Sequence, residues 1–459
     1  MDLFRKKTAD MMEDEGEHSG LKKKLRAIDL AALGIGSVVG TGIFVATGSA
    51  AQAAGPAVII SFILAALVSG FCALTYSELA TMFPVAGSTY SYSYVAFGEF
   101  IAWIIGWDLM LEYVVSASTV ASGWSSTLVG LLATYGINLP TSLTTATYNG
   151  GIVDLPSVLV TLLVTWILYI GIKESANVNN IIVGVKIVVI LLFVVLGVTH
   201  VNVSNFHPFA PFGWKGIMSG AALIFFSYIG FDAVSTAAEE TVDPKRDVPL
   251  GLVICLGVVI VLYVAIAIVL CGIVPFKTID TTDALPAALR SIGINWGGAL
   301  VATGAIIGMI STLLVTLYGQ IRIFMVMSRD GLLPPFFASL HKTHKTPHIC
   351  TWITGVICAV LAGILPLSVL IDLCNIGTLF AFILVSVGVI ILRKTMPNVE
   401  RKFRCPGVPF TPIITVLLCL YFIISLQPVT WIRFIVWLVV GGLLYFVYGF
   451  KHSAMNDIK

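Results

Sequence analysis

The sequence predicts an all-α polytopic membrane protein with twelve transmembrane helices. Three observations carry that prediction. Only 11% of the 459 residues are charged and 58% are apolar, whereas a soluble domain carries about 25% charged residues. The stretch 30–77 is 48 residues long and contains no charge, while one bilayer crossing needs about 20 apolar residues. The apolar segments are long continuous runs, not the roughly 10-residue alternation of barrel strands. An ordinary soluble enzyme, a disordered chain and a nucleic-acid binder are excluded. The net charge of +2 supplies no global field for nucleic acid.

Apolar windows of helical length fall at 29–54, 56–77, 97–123, 156–172 and 177–199, then at 214–238, 249–272, 297–327, 349–365 and 368–393, and last at 409–426 and 430–450. The expected organisation is a polar N-terminal segment 1–27, a first repeat 28–199, a second repeat 214–393, a helix pair 409–450 and a tail 451–459. The first 27 residues contain no short apolar core of a secretory signal. An even number of spans puts both termini on one side. Of 26 Lys and Arg, 21 fall on that side, four on the other (Lys215, Lys277, Arg290, Arg433), and one, Lys186, falls inside span 5. Positive charge accumulates inside, so both termini are expected in the cytoplasm, with the chain integral to the cell membrane. Trp103, Trp107, Trp214, Trp431 and Trp437 lie near expected span ends and read as interfacial anchors. The eight cysteines are scattered through apolar stretches and read as small buried hydrophobes.

Spans 1–5 and 6–10 each contain an odd number of crossings, so a repeated second half enters the membrane inverted. The first span of each half supports this. Span 1 carries Gly34-Ile35-Gly36-Ser37-Val38-Val39-Gly40-Thr41-Gly42-Ile43-Phe44, and span 6 carries Phe225-Phe226-Ser227-Tyr228-Ile229-Gly230-Phe231-Asp232. Glycine costs about 1 kcal/mol relative to alanine in a helix interior. A helix broken at membrane depth frees N–H and C=O groups that lipid leaves unsatisfied. Freed N–H groups suit a carboxylate and freed C=O groups an ammonium. An α-amino acid carries both groups side by side. The other reading of Gly36 and Gly40 is a GxxxG packing face; the matching motif in span 6 favours a break.

At these motifs the chain resembles the amino acid–polyamine–organocation superfamily, and most of all its bacterial branch similar to cationic amino acid transporters. The segment Trp107-Asp108-Leu109-Met110-Leu111-Glu112-Tyr113, the pair Glu239-Glu240 with Pro244–Pro249, and Ser328–Pro334 also carry the likeness, which spans nearly the whole chain. The resemblance implies a five-plus-five inverted repeat (a LeuT-like core) with broken helices 1 and 6, two additional C-terminal helices, and uptake of an L-amino acid, commonly coupled to protons. It implies substrate contacts at Val38, Gly40, Thr41, Gly42 and Ile43, and at Phe226, Ser227, Ile229 and Gly230, with Phe231 as an aromatic gate. Thr316 matches a pocket-lining position where a small residue admits a longer side chain. No carboxylate lies in the matched segments to pair with a cationic one, so small neutral and cationic substrates both stay open. Ser227 either adds a hydroxyl to the site or bonds back to its own helix.

The intramembrane charges extend the reading. A charged lysine at the bilayer centre costs about 2.5–3.5 kcal/mol on insertion scales, and Lys186 lies too deep to snorkel easily. Sodium-coupled relatives hold a cation among spans 1, 5 and 8, and in proton-coupled relatives a span 5 lysine that Lys186 matches occupies that neighbourhood. Lys186 is therefore either a proton carrier bonded to span 1 carbonyls near Gly34 and Gly36, or a static ammonium that fixes the break. Glu112 reads as a second coupling candidate or a hydrogen-bonded structural carboxyl. Asp232 reads as a cap after the span 6 break. Glu99 and Asp108 carry no assigned role. Ser311, Thr312, Asn375, Gly377 and Thr378 supply small polar groups in spans 8 and 10. No phosphate-binding loop motif is present, all seven histidines fall outside the expected spans, and the group His341, His344 and His348 reads as a solvated turn. No cofactor, metal or nucleic acid is expected. The expected partners are the amino acid, a proton and the bilayer, with the chain working as a monomer. The other functions of this pattern are an exchanger, a polyamine transporter, or an amino acid sensor that does not transport.

Overall fold

A computed structural model describes residues 3–8, 11, 24–85, 87–171, 176–342 and 346–456. Most of the segment 1–27 and the end of the tail 451–459 lie outside the described residues, as does His344. The described chain is helical, with a single isolated bridge between Leu25 and Thr241. Its helices are α1 (Ala27–Val38), α2 (Thr47–Ala54), α3 (Val58–Met82), α4 (Ser88–Ala96), α5 (Glu99–Thr134), α6 (Leu155–Ile170), α7 (Ala176–Val198), α8 (Gly213–Phe225), α9 (Ala233–Thr236), α10 (Pro244–Ile273), α11 (Ala284–Ser291), α12 (Asn295–Arg329), α13 (His348–Ile364), α14 (Leu367–Thr395), α15 (Phe410–Ser425) and α16 (Pro428–Leu444). Among them, eight helical segments are long and apolar enough to cross a bilayer, and α1, α6, α13 and α15 are shorter apolar helices.

Helix α5 runs well beyond its apolar window, because a stretch containing Ser, Thr and Gly continues the backbone pattern after hydropathy has fallen, whereas α12 matches its window to within two residues at each end. Two short helices had no hydropathy signal. In α4, the sequence Ser-Thr-Tyr-Ser-Tyr-Ser-Tyr-Val-Ala is buried throughout, and the hydroxyls of Ser88, Thr89, Tyr90 and Tyr94 bond inside the protein, such as Tyr94 to Glu99 at 2.8 Å. The other is α11, between α10 and α12.

The packing repeats with an offset of one half. Helix α10 packs on α1 as α3 packs on α8; α7 packs on α12 as α14 packs on α5; α7 packs on α10 as α14 packs on α3. The self-matched pairs α3–α10, α5–α12 and α6–α13 also touch. Each half opens on an interrupted helix: α1 gives way at Val39 (ψ 93°) to a π-turn over Gly42–Ala46 before α2, and α8 gives way to a 3₁₀ turn over Phe226–Tyr228 before α9.

Both termini dock on one face. Arg5 bonds Asn456 at 2.5 Å, and Lys7 pairs with Asp330 at 2.9 Å. Buried Glu99 collects Arg5 (2.8 Å), Tyr445 (2.8 Å) and Ser453 (2.6 Å). On the same face Arg393 forks onto buried Glu78, and Arg322 reaches Glu240. Tail residues Ser453–Asn456 are thus part of the packed body.

The tryptophans divide. Trp214 is 59% exposed, as an anchor would be. Trp103, Trp107 and Trp437 instead form a stacked ladder, with centroids 6.0 and 4.4 Å apart, and their indole N–H groups donate to carbonyls across the α5–α16 seam. They join helices, because an indole satisfied by a neighbouring backbone needs no interface water. All eight cysteines are buried thiols.

Candidate functional site

The two helix breaks face each other at the centre of the bundle. A Cβ on Gly42 would stand 2.4 Å from Cα of Ser227, so backbone meets backbone. Gly230 has φ +109°, a conformation L side chains rarely adopt, and a Cβ there would press on Ser37. The span 1 glycines split by task. Gly34 lies against Cys255 and Val234, and Gly36 against Val183 and Asn179, as a packing face would. Gly40 and Gly42 belong to the break.

A cavity of about 20 Å³, room for about one water, lies between the breaks. Val38, Gly40, Thr41, Gly42, Phe226 and Ile229 line it, all six expected from the sequence, together with Ser37, Ser116, Val120 and Thr312. Ile43, Ser227 and Gly230 stand behind the wall: Ile43 is buried, and Ser227 and Gly230 hold the two breaks together. Thr316 does not line the cavity; it sits one turn beyond Thr312 on α12 and donates to the Thr312 carbonyl at 2.8 Å. Phe231 is fully buried against Tyr76 and Phe382, at centroid distances of 6.0 and 5.3 Å. The Ser227 hydroxyl is buried and has no partner among the described residues, so it does not bond back to its helix.

Residues 41–48 are all buried, and so are 224–229, on the side of the site away from the termini. Ser37, Tyr113, Ser116 and Gly230 are half-buried.

Lys186 reaches the end of α1 from α7. Its Nζ donates to the Gly36 carbonyl at 2.5 Å and to Thr312 Oγ1 at 2.8 Å, and the Thr312 hydroxyl lies 3.1 Å from the same carbonyl. Gly308 leaves room for the lysine stem, 3.0 Å from where its Cβ would stand. Tyr263 OH donates to the Val38 carbonyl at 3.1 Å. The carbonyls that α1 leaves unpaired at its break therefore have side-chain donors from α7, α10 and α12. The Gly34 carbonyl has no such contact with Lys186.

A second polar cluster lies beside the span 6 break. Asp232 precedes α9, and Tyr113 OH is 3.5 Å from its carboxylate. Glu112 is buried on α5 against α14, near Cys374 and Thr378. One turn earlier, Asp108 is fully buried, with no hydrogen-bond partner among the described residues, and lies against Gly377. Sequence reasoning passed over Asp108, Ser116 and Val120. The i, i+4 spacing of Asp108, Glu112 and Ser116 on one helix face was the available signal. His341 and His348 meet edge to face at 5.3 Å, with Tyr169 against His341.

A family model described as amino acid permease matches residues 25–444. The chain belongs to that family. It is thus an integral membrane transporter of the amino acid–polyamine–organocation superfamily and not an enzyme. It is 47% identical to a methylthioribose transporter of Bacillus subtilis and 46% identical to a branched-chain amino acid permease of the same organism, each covering 99% of both chains. It is 30% identical to a vacuolar cationic amino acid transporter of Arabidopsis thaliana, over 99% of this chain and 96% of that one.

Proposed function

We propose that this permease takes up neutral, apolar L-amino acids by alternating access, coupled to protons. The observation that carries the reading is the meeting of the two breaks at one buried cavity. Backbone groups of Gly40–Ile43 and Phe226–Gly230 would hold the zwitterionic head, with the free hydroxyl of Ser227 as one added donor. Val38, Val120, Phe226 and Ile229 would hold an apolar side chain. No carboxylate lines the cavity among the described residues, so a cationic side chain has no counter-charge there. The 46% identity to a branched-chain permease supports the same class. A second reading, a neutral sugar thioether, draws on the 47% identity to a methylthioribose transporter, since freed backbone groups serve hydroxyls as well.

Twelve spans, a five-plus-five inverted repeat with two added helices, cytoplasmic termini and a monomer complete the reading. The half-offset packing supports the repeat, and the lysine and arginine distribution supports the orientation in the cell membrane. Lys186 is the coupling group: charged, it fixes the Gly36 carbonyl and the end of α1; neutral, it holds them less tightly. Glu112, beside Asp232 and Thr378, is a second coupling site. Phe231 gates the cavity, and Thr316 sets how long a side chain passes toward the terminal face.

Proteoliposomes with an alkaline interior test the whole. Labelled L-leucine is expected to accumulate, with competition from valine and isoleucine and none from arginine. Accumulation of methylthioribose without leucine would select the second reading. Counterflow separates net symport from exchange. Lys186→Ala is expected to bind leucine yet lose pH-driven accumulation; accumulation still driven by the gradient would remove Lys186 from coupling.

A further inference from the structure

A larger cavity, of about 230 Å³, lies between the start of α14, the turn joining α15 to α16 and the loop before α6. It shares no lining residue with the cavity between the breaks. Two opposite charges stand on its wall, Asp372 on the second turn of α14 and Arg433 on the second turn of α16. Asp372 is only 8% exposed. Among the described residues, no hydrogen bond or close ion pair joins the two or ties either to another residue. Tyr148, Asn149, Ser368 and Gln427 add polar groups around the pair.

A carboxylate and a guanidinium on the wall of one cavity normally draw into a direct pair, because partial burial strengthens their attraction. Here a cavity separates them, and it is several waters in size. Water would screen both charges but match neither. A molecule with an ammonium at one end and a carboxylate or phosphate at the other matches both: the guanidinium fork takes two anionic oxygens, and the buried carboxylate takes the ammonium. The volume limits the molecule to a few heavy atoms beyond those two groups.

We propose that this cavity is a second, peripheral binding site for a small zwitterion, with Asp372 receiving its ammonium and Arg433 its carboxylate or phosphate. Two sources share that chemistry: a free amino acid, and the headgroup of an ethanolamine phospholipid. The site has a direct mechanical link to the transport core. Three residues on from Asp372, Asn375 donates to the Ala222 carbonyl of α8 at 2.8 Å, four residues before the second break. A ligand on Asp372 thus loads the helix that braces α8.

Thermal-shift titration of the purified full-length protein tests the assignment, since a ligand of the folded state raises its melting point by mass action. The probes are glycerophosphoethanolamine, L-leucine, and glycerophosphoglycerol as an anion without an ammonium. The variants are Asp372→Asn, Arg433→Gln, and Ser368→Trp, which fills the cavity and keeps both charges. At least one zwitterion is expected to stabilise the wild type, with a half-saturating concentration at least tenfold higher in every variant that folds, and glycerophosphoglycerol is expected to have no effect. Loss confined to glycerophosphoethanolamine identifies a lipid headgroup; loss of one leucine phase identifies a free amino acid. Identical titrations of both zwitterions in the wild type and in Ser368→Trp overturn the proposal, whatever becomes of the charge variants.

Discussion

Replacing Gly42 with alanine places one methyl group where the second break runs. The new Cβ would meet Ser227 Cα at 2.4 Å, its Oγ at 2.5 Å and its Cβ at 2.8 Å, where ordinary contact begins at 3.4 Å. The breaks must therefore separate by about 1 Å, the difference between those distances. The nearest obstacle is a backbone atom, so a change of rotamer cannot relieve the clash. Overpacking of this kind costs about 1–3 kcal/mol, and alanine's helical advantage over glycine returns up to about 1 kcal/mol. The net loss of stability is expected to be modest, about 3 kcal/mol or less. The functional loss is expected to be larger if, as proposed, groups from both breaks bind one small head. In positional terms, a misplacement of about 1 Å costs on the order of 100-fold where geometry is decisive. Initial uptake rates in proteoliposomes, read beside the thermal midpoint in detergent, separate the two effects. Gly184→Ala on α7 is the control, since its Cβ would meet nothing within 4 Å. Gly42→Ala with wild-type uptake and affinity would refute the claim that the two backbones meet at the site.

Three further outcomes follow from particular contacts. Ser227→Ala removes a buried hydroxyl without a partner, so stability is expected to hold or rise, while substrate affinity falls by about 0.5–1.5 kcal/mol in a binding titration. Burial lifts the Asp283 carboxyl, at the cap position just before α11, from 3.8 to about 6, against the opposing effect of its partner Arg290. An acid with a raised folded-state value binds its proton more tightly when docked, so the loop loses up to about 3 kcal/mol of protection as pH rises from about 4 to 6 and is level above that. Hydrogen exchange over 279–294, corrected for intrinsic rates, is expected to show that slope, and Asp283→Asn is expected to abolish it. Glu99→Gln breaks the junction of Arg5, Tyr445 and Ser453 on a buried carboxylate, a loss of about 3–5 kcal/mol; exchange is expected to rise over 3–8 and 450–456, and unchanged protection there would deny Glu99 its role.

The sequence was most legible where one-dimensional pattern and three-dimensional constraint coincide. Continuous apolar runs located the long helices, and the glycines at 40, 42 and 230 located both breaks, because a break at depth needs residues without a side chain. Lys186 stood out because an isolated charge in an apolar run requires a partner, and the Gly36 carbonyl is that partner. Legibility failed where the deciding fact was a neighbour from elsewhere in the chain. Nothing in hydropathy separates a tryptophan that stacks on another helix from one that anchors at an interface. The α4 helix escaped notice because its serines and tyrosines score as neutral, while the hydroxyls of Ser88, Tyr90 and Tyr94 find partners inside the protein. Asp108 and Ser116 were missed because their significance comes from packing against α14 and the cavity, not from their immediate sequence neighbours.

The placement of Lys186 constrains how substrate and proton would communicate under the proposed coupling. Lys186 bonds to Gly36, on the helix that ends at the break, and to Thr312, which lines the cavity and also faces the Gly36 and Val39 carbonyls. A change in lysine charge therefore bears on the cavity through two routes, the end of α1 and one side chain of α12. The opposite flank is different in kind. Residues 41–48 and 224–229 are buried throughout, and the partly open positions Ser37, Tyr113, Ser116 and Gly230 border the other side. Lys186 thus meets the half of α1 that flanks the open side, while 41–48 and 224–229 contain no carboxylate, lysine or histidine. If Lys186 is the coupling group proposed above, its deprotonation would act first on the end of α1 that it holds, and release toward the face carrying both termini would be the step it controls. Rates of release and of rebinding measured separately on the two sides of oriented proteoliposomes are expected to show pH dependence on the terminal side alone, and equal dependence on both sides would place the coupling elsewhere.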